Sequence, residues 1–346
     1  MLEQVTVSAP ARLHFGLFSV GDLVSRMFGG IGLMIDSPRI SIQATRAEQW
    51  TVNSHYQPEI NRAVSSWFDY QRNSLDCELG IQSFEQIPIE LKVMKIPPRH
   101  CGLGTGTQLA LSAAMAVIQM LQLPVPSIEE LAIFVKRGKR SGIGSHGFSQ
   151  GGFLVDRGKL AQESLAPLDF QTHFPDDWSI VTILGKQETS GLSGAEEIEA
   201  FQSLPKSTED ERSAMIEIVR DQIVPGVSLV DYDRFAAGVF DFGRRSGLMY
   251  EEIQNGPYNG QAIETLIREI REFGVPAVGQ SSWGPCVFAI THDNITALRL
   301  KNYLEDRHHD NYDIVVSKAD NEGAAVTLQG HEPGACSDRD KDKNRL

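Results

Sequence analysis

The chain has 346 residues, 41% hydrophobic and 22% charged, the profile of an ordinary globular protein long enough for two domains. Its 45 acidic against 32 basic residues leave a formal charge of −13, and no long basic run appears, which argues against a nucleic-acid partner. No apolar stretch reaches the ~20 residues of a membrane span, and MLEQVTVSAP lacks a basic region followed by an apolar core, so a cytoplasmic protein is expected.

Residues 3–9 alternate apolar and polar side chains and predict a strand, with ARLHFGLFSV continuing as a second extended stretch. MFGGIGLMI and SPRISIQAT read as further strands, residues 59–72 as a helix, and IPIELKVMKIPP as a strand stopped by a proline pair. HCGLGTGTQ then leads into LALSAAMAVIQMLQL, a helix with little polarity on any face and therefore buried. Ser127 and Glu130 form a capping box for the helix IEELAIFVKRGK. At its end Lys136, Arg137, Lys139 and Arg140 are expected to complement the helix dipole on a solvated face. SGIGSHGFSQGGFLVD reads as a second glycine-rich loop running into a strand.

In the second half WSIVTIL (178–184) is a strand, followed by helical stretches around 195–221 and 231–248. AIETLIREIREF places Ile263, Leu266, Ile267 and Ile270 on one face and stops at Gly274. PCVFAI, NITALRLKNYLED, YDIVVS and AAVTL then read as strand, helix, strand and strand, which fits a ferredoxin-like module. The composition shift near 165–178 suggests domains at 1–170 and 171–330, with residues 331–346 a charged, disordered tail.

The loop from Pro97 to Gln108 carries the first chemistry. Gly102, Gly104 and Gly106 let backbone approach a phosphate, the following helix N-terminus supplies N–H groups, and Thr105, Thr107 and Gln108 add polar side chains. A tight strand-to-helix turn is the equally open reading. The loop is neither a P-loop, since no Gly-Lys-Ser/Thr follows, nor a Rossmann fingerprint. Cys77, Cys101, Cys286 and Cys336 show no zinc spacing, and Cys101 and Cys286 read as packing residues.

Pro98 to Ala114 resembles the Pro-x-x-x-Gly-Leu-Gly-Ser-Ser-Ala motif of the GHMP kinase superfamily. Ala9-Pro10-Ala11-Arg12-Leu13, SGIGSHGFSQGG and VGQSSWGPCVFAI resemble its other landmarks, in order, so that the likeness covers residues 5 to about 328. It implies an α+β fold, with a ribosomal-S5-domain-2-like N-terminal domain and a ferredoxin-like C-terminal domain. The departures bear on activity. Gly144 stands where the mevalonate-type kinases carry a catalytic Asp, Gly106 replaces the second Ser of the phosphate motif, and Arg12 replaces Lys. A phosphoryl-transfer site without base or magnesium hydroxyl is a poor kinase.

GLGTGTQLAL, SGIG…GGF followed by Val155-Asp156, GLSGAEEIEAF (191–201) and VGQSSWGP resemble the beta-ribofuranosylaminobenzene 5′-phosphate synthase family. That resemblance implies a transferase joining phosphoribosyl pyrophosphate to 4-hydroxybenzoate or 4-aminobenzoate. It releases pyrophosphate and carbon dioxide in methanopterin biosynthesis, with magnesium, without ATP, and in a homodimer. It assigns Asp22 to magnesium and Arg26 to a phosphate or the benzoate carboxylate, solvated surface charges being the other reading. His146, Ser141 and Ser145 are expected to face the cleft, and Gln280, Ser281, Ser282 and Trp283 to close it, with Trp283 stacking on the aromatic substrate. His14 reads equally as a substrate contact or a core histidine, and His100 could donate to an anion. A small-molecule kinase with a rearranged base and a non-catalytic sugar-phosphate-binding protein are the competing functions.

Overall fold

A computed structural model of the chain describes residues 2–21, 26–186, 204–309 and 311–330. Asp22, the 191–201 motif and the 331–346 tail lie outside them.

Two long antiparallel strands, β1 (Leu2–Ser19) and β2 (Phe28–Arg46), form the spine of the first sheet. Each joins two of the predicted stretches. Register shifts at Pro10/Ala11 and at His14/Gly16 interrupt the alternation that periodicity reads, without ending the pairing. The sheet runs β11-β1-β2-β4-β3, with β3 at Thr51–Asn53, β4 at Ile89–Lys95 and β11 at Ala325–Gly330. β5 (Phe153–Asp156) also pairs with β2, and β6 (Leu168–Thr172) with β5, so pairing in this sheet continues past residue 170.

Helices α1 (Gln57–Leu79), α2 (Thr105–Met120), α3 (Ile128–Phe134) and α4 (Ile143–Gln150) belong to this half of the chain. Val7, Ile42 and Leu91 of the sheet form one core with Trp67 of α1 and Leu111 and Ala114 of α2. The apolar character of α2 on every side is matched by its burial. The α3 capping box forms, with Ser127 Oγ accepting from Glu130 N–H. Two predictions are corrected. SGIGSHGFSQ is helix α4 rather than a loop, because Ile143 and Phe148 bury against the protein. The cations Lys136–Arg140 do follow the end of α3, with the Lys136 and Arg137 N–H groups closing it, but positive φ at Lys136 (56°) and Gly138 (76°) turns them to line a cleft instead of a solvated helix face.

The second sheet runs β10-β7-β9-β8, all neighbours antiparallel, from β7 (Ser179–Gly185), β8 (Ala277–Gln280), β9 (Val287–Thr291) and β10 (Tyr312–Ser317). Between β7 and β8 come α5 (Glu209–Ile218), α6 (Val224–Ser228), α7 (Tyr232–Leu248), α8 (Glu251–Gln254) and α9 (Gln261–Glu272). α10 spans Asn294–His308. Leu266, Ile267 and Ile270 of α9 and Leu300 and Leu304 of α10 pack with Val278 and Ala289 of this sheet. Phe288 of β9 stacks at 4.6 Å on Phe15 of β1, and Phe153, Phe235 and Phe242 complete one core shared by the two halves. The last predicted strand, β11 (Ala325–Gly330), exists but pairs with β1 rather than joining the ferredoxin-like sheet. Its partner is the other end of the chain, which no local pattern reveals.

In the core packed against the second sheet the Tyr258 hydroxyl is buried without a hydrogen-bond partner, and burial raises its pKa to about 12. The folded phenol keeps its proton while an unfolded tyrosine ionises near about 10. Its contribution to stability is therefore whole below about pH 10 and lost as pH rises through about 12. Tyr258→Phe is expected to gain about 1 kcal/mol at neutral pH. Urea midpoints across that alkaline window should fall less steeply for the variant than for the wild type.

Candidate active site

The site forms where the glycine loop before α2 meets the loop between β8 and β9. Gly102 and Gly104 take φ of 93° and 70°, and Gly104 caps α2 in the left-handed region. A Cβ at Gly104 would lie 3.0 Å from Arg12 Nε, so glycine there lets the Arg12 side chain cross the helix N-terminus. The second loop docks by hydrogen bonds. Ser281 Oγ donates to Gly102 O at 2.7 Å and accepts from His14 N–H at 3.0 Å. Ser282 N–H donates to His14 O at 2.9 Å, and Cys286 N–H to Cys101 O at 3.1 Å.

Beside this joint lies a cleft of about 290 Å³. Arg12, Lys136, Arg137, Lys139 and Arg140 line it, and no Asp or Glu is among its described lining residues. Against a chain charge of −13 this is a concentrated cationic wall. Burial, and then the charges of Arg62 and Arg99 beyond the cleft, hold the Arg137 guanidinium below the ordinary arginine range. Another part of the lining is apolar and aromatic, with Leu17, Tyr250 and Trp283. The rings of Tyr250 and Trp283 lie 4.4 Å apart. Gly16 of β1 and Gly243, Ser246 and Gly247 of α7 leave room between these regions, and Leu17 N–H donates to Ser246 Oγ at 2.7 Å.

Of the predicted site residues, Thr107, Ser141, Gln280, Ser282 and Trp283 line this cleft, as does Gly144. Gly102, Gly104, Thr105 and Gly106 shape the turn next to it. The Thr105 hydroxyl donates to Pro98 O at 2.9 Å, and the buried Gln108 amide donates to Gly144 O at 2.7 Å. A Cβ at Gly106 would sit 3.7 Å from Arg137 Nη1, so a guanidinium lies beside the position that carries a hydroxyl in the kinase motif. Ser281 is wholly buried and acts as the loop staple.

Three predicted residues are placed elsewhere. Arg26 makes a two-pronged pair with Glu163 at 2.7 and 2.9 Å, donates to Gly158 O, and borders a separate groove with Phe18 and Phe170. His146 is buried, its Nε2 bonded to Ala166 O at 2.9 Å, and Ser145 is buried as well. The cause is the helix: with Gly144 toward the cleft, a residue two positions on is turned about 200° away. Asp22 lies outside the described residues.

Sequence reasoning missed the cationic segment, Tyr250 and the small face of α7. One signal was available. Gly138 in the middle of KRGKR breaks a helix, and cations on a loop need not face solvent. Among the described residues no cluster of three or more His, Cys, Asp or Glu could hold a metal, and Asp22, the residue expected to hold magnesium, lies outside them.

Comparison with known proteins places these features among relatives. The GHMP kinases N terminal domain family matches residues 72–152, and the GHMP kinases C terminal family matches residues 231–311. A beta-ribofuranosylphenol 5′-phosphate synthase of Archaeoglobus fulgidus is 28% identical over 342 residues, covering 92% of this chain and 98% of that protein. A protein of the same name from Methanothermobacter thermautotrophicus is 26% identical over 308 residues, 85% of this chain and 90% of the relative. Among solved structures, homoserine kinase from Cytophaga hutchinsonii superposes with a TM-score of 0.64 at 16% identity, covering 94% of this chain and 98% of that one. Mevalonate diphosphate decarboxylase from Staphylococcus aureus gives a TM-score of 0.63 at 16% identity with the same coverage. At such identities these two structures share the fold.

Proposed function

This chain belongs to the GHMP kinase superfamily and, within it, to the beta-ribofuranosylphenol 5′-phosphate synthase family, and from that premise we propose that it is a decarboxylating C-ribosyltransferase. It joins phosphoribosyl pyrophosphate to a para-substituted benzoate, releases pyrophosphate and carbon dioxide, and serves the synthesis of a methanopterin-type carrier. The observation that carries this reading is the divided cleft, with five Lys and Arg side chains, no described carboxylate, and the rings of Tyr250 and Trp283.

The reaction asks for placement and charge control rather than an enzyme nucleophile. In this reading Arg12, Arg137 and Lys139 hold the diphosphate, and their field stabilises the negative charge that grows on it as the anomeric C–O bond breaks. Tyr250 and Trp283 hold the benzoate ring with its carboxyl-bearing carbon toward the anomeric carbon. The new carbon–carbon bond leaves that ring carbon tetrahedral, and loss of carbon dioxide restores the aromatic ring. Magnesium, in this reading, arrives as the counter-ion of the diphosphate and is part of the substrate.

The deciding experiment incubates the protein with phosphoribosyl pyrophosphate, magnesium and carboxyl-labelled 4-hydroxybenzoate and counts released carbon dioxide. ATP consumption coupled to phosphorylation of an alcohol would establish a kinase instead. Binding of phosphoribosyl pyrophosphate without release of either product would establish a sugar-phosphate-binding protein. Arg137→Ala is expected to raise the KM for phosphoribosyl pyrophosphate by about ten- to a hundredfold, the worth of a charged hydrogen bond. Because Arg137 already sits against like charge, its thermal midpoint should stay at or above the wild-type value.

A further inference from the structure

His14 lines the cleft midway along β1, and its imidazole is backed, through Ser141, by a buried carboxylate. Its Nε2 lies 3.2 Å from Ser141 Oγ, and Ser141 Oγ lies 2.7 Å from Asp156 Oδ2. Asp156 is wholly buried and further held by the N–H groups of Gly142 and Gly158, each at 2.8 Å. The backbone of His14 is pinned on both sides by Ser281 and Ser282.

The hydrogen bonds determine the tautomer. A serine hydroxyl has one hydrogen and two lone pairs. The hydrogen of Ser141 goes to Asp156, and Ile143 N–H occupies one lone pair at 3.3 Å. The remaining lone pair faces His14, so the ring proton sits on Nε2 and Nδ1 is the bare nitrogen. Nδ1 has no partner among the described residues. The ring is neutral at pH 7, since burial and the nearby Arg12 charge lower its pKa well below the ordinary histidine value.

We propose that His14 accepts, at Nδ1, the para-hydroxyl proton of a phenolic substrate in this cleft, with Ser141 and Asp156 holding the accepting tautomer. The proposal rests on the ribosyltransferase reading above. As the ring carbon bearing the carboxylate bonds to the anomeric carbon and the C–O bond to pyrophosphate breaks, the O–H pair moves into the ring and the proton passes to Nδ1. Loss of carbon dioxide then returns an electron pair to the oxygen, which takes the proton back from Nδ1. Atoms and charge balance without a further reagent. Anions bound on Arg12 relieve the charge that opposes protonation of His14.

An amino substituent needs no such base, because its nitrogen lone pair drives the attack without losing a proton first. The two benzoates therefore separate a chemical role for His14 from a structural one. The experiment measures carbon dioxide release by wild type and His14→Gln with 4-hydroxybenzoate and with 4-aminobenzoate, each across alkaline pH. Glutamine keeps a donor toward Ser141 but has no basic nitrogen. Arg12, Lys136, Arg137, Lys139, Arg140, Asp156 and Tyr250 surround the position in both assays alike, so the amine is the internal control.

The expected result is a loss of about a hundredfold or more in kcat with the phenol and less than about fivefold with the amine. The residual phenol rate should climb with pH as the substrate ionises in solution. If both substrates lose equally, or the phenol rate is unchanged, His14 is a structural residue. Should the variant fail to fold by circular dichroism, Ser141→Ala replaces it, and a loss confined to the phenol supports the same role while an equal loss overturns it. A wild type active on the amine alone also overturns it. A wild type active on neither removes the ribosyltransferase reading and the His14 role together.

Discussion

Gly144→Asp is expected to lower kcat/KM for phosphoribosyl pyrophosphate by about a hundredfold while the protein stays folded. Gly144 lines the cleft, its φ is not in the left-handed region, and a Cβ there would sit 3.4 Å from Thr107 Cγ2 and 3.7 Å from Gln108 Nε2. There is room for a side chain. The position is in the first turn of α4, where a carboxylate is favourable to the helix dipole, so stability should hold or rise. The damage comes from charge. Unit charges a few ångströms apart near a protein surface interact by ~4 kcal/mol before screening. An aspartate here would pair with a cleft cation and oppose the diphosphate. It is not expected to create a kinase, because Gly106 still carries no hydroxyl. Parallel assays of carbon dioxide release and ATP consumption on Gly144→Asp and Gly144→Ala test this. An Asp variant with full activity would show that the anions bind elsewhere.

Gly284→Val is expected to abolish activity by a different route, through the joint between the two halves. Any Cβ at this residue would fall inside contact distance of the Cys101 carbonyl carbon and the Gly102 nitrogen, both backbone atoms that cannot rotate away. The loops must part. That breaks the Cys286–Cys101 and Ser281–Gly102 hydrogen bonds and loosens Ser282 from His14. Two or three buried bonds at about 1 kcal/mol each, with the packing above them, cost about 3–5 kcal/mol. A lowered thermal midpoint and loss of phosphoribosyl pyrophosphate binding should appear together. Gly185→Ala is the control, since a Cβ there meets nothing within 4 Å. A Gly284→Val protein with wild-type stability would mean that the loops are not held by this contact.

Much of this protein is legible in its sequence because it is local. The apolar run after Gln108 predicts a buried helix, Ser127 with Glu130 predicts a cap, and Gly274 predicts a helix end, all decided within a few residues. The motif spacing around Gly102–Gly106 and Gly144 carries the family, since loop conformation at glycine depends on the residue itself. Other features depend on partners distant in the chain. Whether Lys136–Arg140 faces water or a cleft is decided by the loop that Gly138 turns and by the loops packed opposite, not by the composition of the segment. Arg26 looks like an anion ligand until Glu163, 137 positions away, takes both of its prongs. β11 alternates like any strand, but only closure of the sheet assigns it to β1.

The His14 line is the clearest case of a property that exists only in three dimensions. Three polar residues from β1, the turn before α4 and β5 carry no mutual spacing in sequence, yet His14 and Asp156 each lie within 3.2 Å of Ser141. Sequence alone determined most of the elements, the glycine turns and the absence of a side chain at Gly144, because backbone preference and the presence or absence of a side chain are properties of single residues and near neighbours. Tertiary structure alone decided which cations share a cleft, which carboxylate is buried behind a serine, and which nitrogen of His14 is bare. Charge and hydrogen bonding act through space, and the distances that set their strength are made only when the sheets and loops close.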